Sequence, residues 1–270
     1  MAITTQDGLV AGLGGQQRLI VNKANVAAVA GRTISLWSGA GQPGVGSTTL
    51  GQAATGVVPV DSDTGALLFT NGGASNNYLG GVRGISAATG LILIHDVLWC
   101  WGSGGAGWSV TSTAAQNTAA PAALTRPDSL GTNTELWMQT LAVGGAASGT
   151  STITYTDSGG TAGNSATLRD AKITTPPVGT IERYALDAGD NGVRSVQTMQ
   201  NSATWTSGTF RLMIVREIAA IPCTANVGFL YDAYDLGMPR VYDDACMMVS
   251  FSANSTATGP TALTLSLIQG

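Results

Sequence analysis

Within "LGMPRVYDDACMMVSF", residues 236–251, Arg240, Tyr242, Asp243, Asp244 and Cys246 fall inside seven positions. Two adjacent carboxylates with an arginine and a thiol close by could serve acid–base or nucleophilic chemistry. The surrounding pattern points to a different use. Gly237 and Pro239 mark a turn. From Ala245 onward the residues fall on two faces, Cys246, Met248 and Ser250 on one and Met247, Val249 and Phe251 on the other. Two mostly apolar faces belong to a strand buried on both sides. Asp243 and Asp244 stand where that strand begins. Carboxylates there can pair with Arg240 and accept backbone N–H groups, fixing how the chain enters the sheet. No catalytic role is expected for either.

The remaining candidates for chemistry are few. His95 is the only histidine. Without a GxSxG elbow or a Cys–His pair that can be placed, nucleophilic catalysis has little support. Lying in the apolar run "LILIHDVLWCW" (91–101), His95 is expected to face a cross-strand partner. Trp99, Trp101 and Trp108 could form a ligand platform, but such tryptophans more often anchor a core or an interface, and an interface is expected here. The chain holds sixteen Asp plus Glu, and no sugar-binding aromatic cluster beyond "LWCWGSGGAGW" accompanies them.

"GAGQPG" (39–44) matches GxGxxG, and Asp61 lies about twenty residues on, as in a dinucleotide fold. That fold needs a helix starting inside the motif, which Pro43 and the following "VGSTTLGQ" oppose. "DSDTG" (61–65) and "DAGDNG" (187–192) resemble calcium loops, yet neither has a glutamate at the twelfth position, and both read as turns. Cys100, Cys223 and Cys246 show no CxxC spacing and are expected to be buried free thiols. No catalytic, cofactor-binding or metal-ligating residue is assigned, and no cofactor is expected.

Composition narrows the classes further. Charged residues make up 10% of the 270, against roughly 25% in ordinary soluble domains. A surface of Gly, Ala, Ser and Thr suits a protein that packs against copies of itself or a larger assembly. Twelve basic residues and a net charge of −4 argue against a nucleic-acid partner. The start "MAITTQDGLVAGLGG" lacks the basic and apolar regions of a signal peptide. The longest apolar run is broken by His95 and Asp96 and is too short to span a bilayer. Synthesis in a cytoplasm, with no membrane partner, is the expectation.

These residues need elements to position them. Residues 4–13 read as a short helix capped by Thr5, with Leu9, Val10 and Leu13 at helical spacing. Residues 38–65 read as an ordered glycine-rich loop. From residue 67 onward, about nine strands are expected, among them 91–101, 134–143, 151–157, 164–173, 192–201, 209–218, 245–252 and 261–268. "SGGTAG" makes a hairpin between the third and fourth of these. In 192–201, Val193, Ser195 and Gln197 should alternate against Arg194, Val196 and Thr198. The fold class expected is all-β: an antiparallel, jelly-roll-like β-sandwich over 67–270, preceded by an N-terminal arm and loop region over 1–66. Ordering that arm costs roughly 1–2 kcal/mol per residue in backbone entropy. Its Leu9, Leu13, Leu19, Ile20, Ile34 and Trp37 are therefore expected to lie against neighbouring subunits or a capsid shell.

Six stretches carry a family resemblance: "TTQDGLVAGL", "LWSGAGQPG", "GALLFTNGGASNNYLGG", "LDAGDNGVRSVQ", "IPCTANVGFLYDAYDLGMPRVYDDAC" and the terminal "LTLSLIQG". With these the chain resembles virion structural proteins of tailed bacteriophages. The resemblance covers about half the sequence and includes no site motif. It implies a virion location and a non-enzymatic role, with capsid decoration or cement proteins as the first analogy. Such proteins are often trimers seated between capsomers, so the implied partners are copies of the chain, as a trimer, and the major capsid protein. A tail, neck or receptor-binding component is the alternative, and a virion-associated hydrolase is opposed by the poverty of catalytic groups.

Overall fold

Alternating β-branched and aromatic runs, broken every few residues by glycine, bury their apolar surface most readily by strand pairing. The computed structural model describes residues 3–145 and 149–270. It opens with α1 (Gln6–Gly14), β1 (Gln17–Lys23), β2 (Thr33–Ser35), a single 3-10 turn (Leu36–Ser38), β3 (Gly41–Gln42), β4 (Asn77–Ser86) and β5 (Gly90–Gly102). There follow β6 (Gln116–Asn117), β7 (Glu135–Ala142), β8 (Ser151–Asp157), β9 (Ala162–Leu168), β10 (Thr180–Ala185), β11 (Val193–Asn201) and β12 (Thr209–Cys223). The chain ends with β13 (Phe229–Asp232), α2 (Ala233–Leu236), β14 (Arg240–Val241), β15 (Met247–Ala253) and β16 (Thr261–Gln269). The protein is all-β. Among the described residues the two α-helices have nine and four residues. Thr5 caps α1 as expected, its hydroxyl accepting from Gly8 N at 3.1 Å.

The strands form two sheets. One runs β13–β4–β16–β1–β3, with β14 beside β4. The other runs β2–β15–β5–β12–β7–β10 and continues through β9, β8 and β11 to β6. β2 also pairs with β10, antiparallel, with Thr33 opposite Ile181. That pairing closes the first six strands into a ring. The sandwich therefore has a closed barrel as its central body, flanked by an open sheet on one side and by the curled β9–β8–β11 extension on the other.

Three cores follow from this arrangement. Inside the barrel, Val97, Cys100, Trp137, Ile181, Met213, Val215, Cys246 and Met248 meet, capped by Trp37 and Ala66. The opposite faces of the same strands pack outward. Ile92, Ile94, Ile221, Val249 and Phe251 meet Leu19, Val21, Leu79, Val82, Leu263 and Leu265 of the six-stranded sheet. Trp99, Trp101, Met138, Phe210 and Leu212 meet Ile153, Tyr155, Val193, Val196 and Met199 of the extension, with Trp205 from the segment between β11 and β12. β5 and β12 serve all three cores because bulges re-aim them, with register shifts between Ile214 and Val215 and between Glu217 and Ala219.

Two expectations need correction. β11 does not alternate strictly: bulges between Val193 and Ser195 and between Val196 and Thr198 put Val193, Val196 and Met199 together in one core. The N-terminal segment 1–66 is not an arm separable from the β domain. β1 pairs along its whole length with β16, β2 closes the barrel, and Leu19, Val21, Val26, Ala28, Ile34 and Leu36 belong to the core shared with β4 and β16. The segment's apolar residues are ordered mainly by this chain's own strands. Deleting residues 1–30 removes β1 and four of those core side chains. Each is worth about 1.5–3 kcal/mol when large and fully buried, against a usual total of about 5–15 kcal/mol. The truncated protein should show no cooperative thermal transition by circular dichroism; a wild-type melting curve would contradict this account.

Candidate functional site

Most of the residues that could do chemistry are held by structural partners. Asp243 Oδ1 accepts from Gly72 N at 2.8 Å. Asp244, at φ +58°, exchanges two hydrogen bonds with Asn71: its Oδ1 accepts from Asn71 Nδ2 at 2.6 Å, and its N–H donates to Asn71 Oδ1 at 2.9 Å. The two carboxylates thus tie residues 71–72 to the start of β15, as the sequence suggested. Arg240 is not their partner. Its guanidinium lies 4.3 Å over the Tyr242 ring, which Arg216 approaches at 5.0 Å.

The tryptophans are core residues rather than an interface or a ligand platform. Trp99, Trp101 and Trp108 are all buried within the chain. Trp99 Nε1 donates to Thr55 O at 3.2 Å and Trp108 Nε1 to Trp101 O at 3.1 Å. Gly56, at φ +63°, lies so close to Trp99 that a Cβ would come within 2.5 Å of its ring. "GAGQPG" lies in the loop after the 3-10 turn, with β3 in it and no helix. Asp61 and Asp63 of "DSDTG" accept from Phe69 N and Val60 N. In "DAGDNG", Asp187 accepts from Ser165 N, Asp190 from the Tyr155 hydroxyl and Asn191 from the Ser158 hydroxyl. The three cysteines are free and buried. Burial pushes the Cys100 thiol up to about 12 and raises Cys223 and Cys246 as well, which keeps them protonated and poor nucleophiles.

Buried cations that the sequence reading passed over hold the loop 38–65. β15 begins opposite Asp96, and beyond that point along β5 this loop takes over the pairing: Val57 exchanges two backbone bonds with Cys100, and Gly102 N donates to Gly51 O. Lys23 Nζ donates to the carbonyls of Gly39, Pro43 and Gly44 at 3.2, 2.6 and 3.1 Å. Desolvation lowers its pKa to about 8. Arg126 donates to Pro59 O at 2.8 Å while pairing with the buried Asp96 at 3.0 Å. Arg211 donates to Ser47 O and to Leu50 O. The available signal was a charged residue inside an otherwise apolar face, as with Arg211 beside Met213 and Val215.

A second feature is an exposed sheet face. The six-stranded sheet packs one face on the barrel, and its other face carries three rows fixed by register. Ile20, Thr264, Arg83 and Leu230 form one row; Arg18, Ser266, Gly81 and Asp232 the next; Asn22, Ala262 and Ile85 the third. Ile20 is 57% exposed, Ile85 45% and Leu230 71%. α1 and α2 cover one end of this face through Leu9, Ala233 and Ile268. Beyond them the face is open.

His95 sits in the barrel wall opposite Met248 and Glu217, 4.3 Å from the Trp137 ring. Neither ring nitrogen has a hydrogen-bond partner among the described residues. Glu217 Oε2 is 4.0 Å away and half exposed, too distant and solvated to hold an imidazolium there. Burial, with the charge of Arg183 adding to it, lowers the His95 pKa to about 3. The folded protein therefore keeps His95 neutral where the unfolded chain protonates it near pH 6.5. This contribution to stability is complete above pH 6.5 and is lost as pH falls toward 3, by at most ~1.4 kcal/mol per pH unit. His95→Met should be at least as stable as wild type at pH 7. At pH 4.5 its urea unfolding should show an advantage larger by about 2–3 kcal/mol. An equal pH dependence in the two proteins would mean that His95 titrates normally.

No protein-family model matches the chain, and no curated protein matches it. Among solved structures there is a similarity to the crystal structure of infectious bursal disease virus VP2 subviral particle, covering 94% of this chain and 79% of that one at 10% identity. With a TM-score of 0.17, that likeness carries no argument about fold or role.

Proposed function

We propose that this protein is a non-enzymatic structural component of a tailed-bacteriophage virion, decorating or cementing the capsid exterior through contacts between subunits. The observation that carries the reading is the open face of the six-stranded sheet. Ile20, Ile85 and Leu230 project from it, set apart by Thr264, Ala262 and Arg83, with Arg18, Asn22 and Asp232 on the same face. Sheet faces normally turn apolar residues to the core and polar ones to water, and a face that mixes exposed aliphatic side chains with arginine suits a contact with another protein. The partners proposed are the major capsid protein and further copies of this chain, in a trimer. The family resemblance supports the virion assignment. The engagement of Asp243 and Asp244 in loop hydrogen bonds, and of the cysteines in the cores, supports a role without catalysis. The glycan-binding version of the tail or receptor alternative loses its platform, since Trp99, Trp101 and Trp108 lie in a core.

Copy number in purified particles tests the reading. Hundreds of copies per virion are expected; a few to a few dozen would place the protein in the tail or neck instead. Ile20→Asp combined with Leu230→Asp should leave the melting temperature unchanged, since both side chains are solvent-exposed. Incorporation into particles should drop by at least ~10-fold, as for loss of a contact hot spot worth more than about 1.4 kcal/mol. Full occupancy by the double variant would show that another surface makes the contact.

A further inference from the structure

At the end of the barrel covered by the loop 38–65, a cavity of about 150 Å³ opens beside Arg211. Its walls include Trp37, Gln139 and Leu141, and Val45 and Val178 stand partly exposed at its rim. Arg211 is 1% exposed. Its acceptors are Ser47 O, Leu50 O at 3.1 Å and Gln139 Oε1 at 3.4 Å, all of them neutral. A guanidinium carries five N–H donors, so two are left over. The ion pairs among the described residues give carboxylates to Arg32, Arg126, Lys172 and Arg183, and none to Arg211. Desolvation disfavours its charge, which the Asp63 carboxylate and the Trp37 ring, 5.9 Å from the guanidinium, offset only without a direct bond, and a buried charge is strongly stabilised by a bonded counter-ion.

We propose that this cavity binds a small monocarboxylate, with its carboxylate on Arg211 and Gln139 and a short apolar tail between Trp37, Leu141, Val45 and Val178. A planar two-oxygen anion matches a guanidinium with two N–H donors left. One cation balances one negative charge, which favours a monocarboxylate over a phosphate dianion. The small volume suits a short-chain acid. The inference stands independently of the virion reading.

The test is thermal denaturation and titration calorimetry of the full chain with sodium butyrate, against butyramide and matched sodium chloride. At about 10 mM, ten times a Kd of about 1 mM, butyrate should raise the melting temperature. Butyramide should bind at least ~10-fold more weakly, because it cannot form charge-assisted bonds. Arg211→Lys should weaken butyrate binding by a similar factor. Since Arg211 also holds the loop, Val178→Trp provides the independent check: it fills the rim, should leave the ligand-free melting temperature near wild type, and should abolish the butyrate shift. The proposal is overturned if butyrate gives no shift beyond the chloride control, if butyramide matches it, or if Val178→Trp retains it.

Discussion

Three buried cations hold the glycine-rich loop 38–65 by its carbonyl oxygens, and much of the architecture depends on that capture. Lys23 reaches from the six-stranded sheet to Gly39, Pro43 and Gly44; Arg211 reaches from the barrel to Ser47 and Leu50; Arg126 reaches Pro59. A segment this rich in glycine loses much conformational entropy on ordering and has little apolar surface to offset it. Charge-assisted bonds to carbonyls that would otherwise be buried without partners supply the difference. Once ordered, the loop continues the pairing of β5 beyond the start of β15 and places Trp37 and Ala66 against the barrel interior. Three of the chain's twelve basic residues thus lie inside, which leaves an already charge-poor surface poorer still.

The loop can do this because β2 places its start. Thr33, Ile34 and Ser35 bridge β15 and β10, closing a ring that would otherwise present two open strand edges. The Ser35 hydroxyl accepts from Trp37 N at 3.2 Å, and Ser35 O accepts from the Ser38 hydroxyl at 2.8 Å. The strand therefore hands directly into the turn that aims Trp37 at the barrel. Closure also ties the N-terminal third to the C-terminal strands, so the six-stranded sheet and the barrel form one cooperative body rather than a domain with an appendage.

Much of this was legible locally. The cap at Thr5 and the two faces of residues 246–251 follow from side-chain chemistry and period-two patterning, and the structure shows them. The hairpin at "SGGTAG" is likewise present, pairing β8 with β9. Barrel closure was not legible, because a three-residue strand carries almost no pattern and its partners lie more than a hundred residues away. The bulges of β11 were hidden for a related reason: a bulge changes the face of every later residue without changing composition. At the candidate positions, Asp243 and Asp244 were read correctly as strand-start groups, but their partner Asn71 lies 173 positions from Asp244 and could not be named. The roles of Lys23, Arg126 and Arg211 depend on where loop carbonyls come to rest, which only the assembled fold determines.

The three thiols have a practical consequence. Cys223 lies in the core between barrel and sheet, whereas Cys100 and Cys246 lie inside the barrel. Each is silent to alkylating reagents while its surroundings stay shut, and each becomes reactive when they open. The chain thereby carries its own clocks at separate depths. Differential labelling, read by mass after digestion, would order the opening of the barrel relative to the sheet layer without any engineered probe.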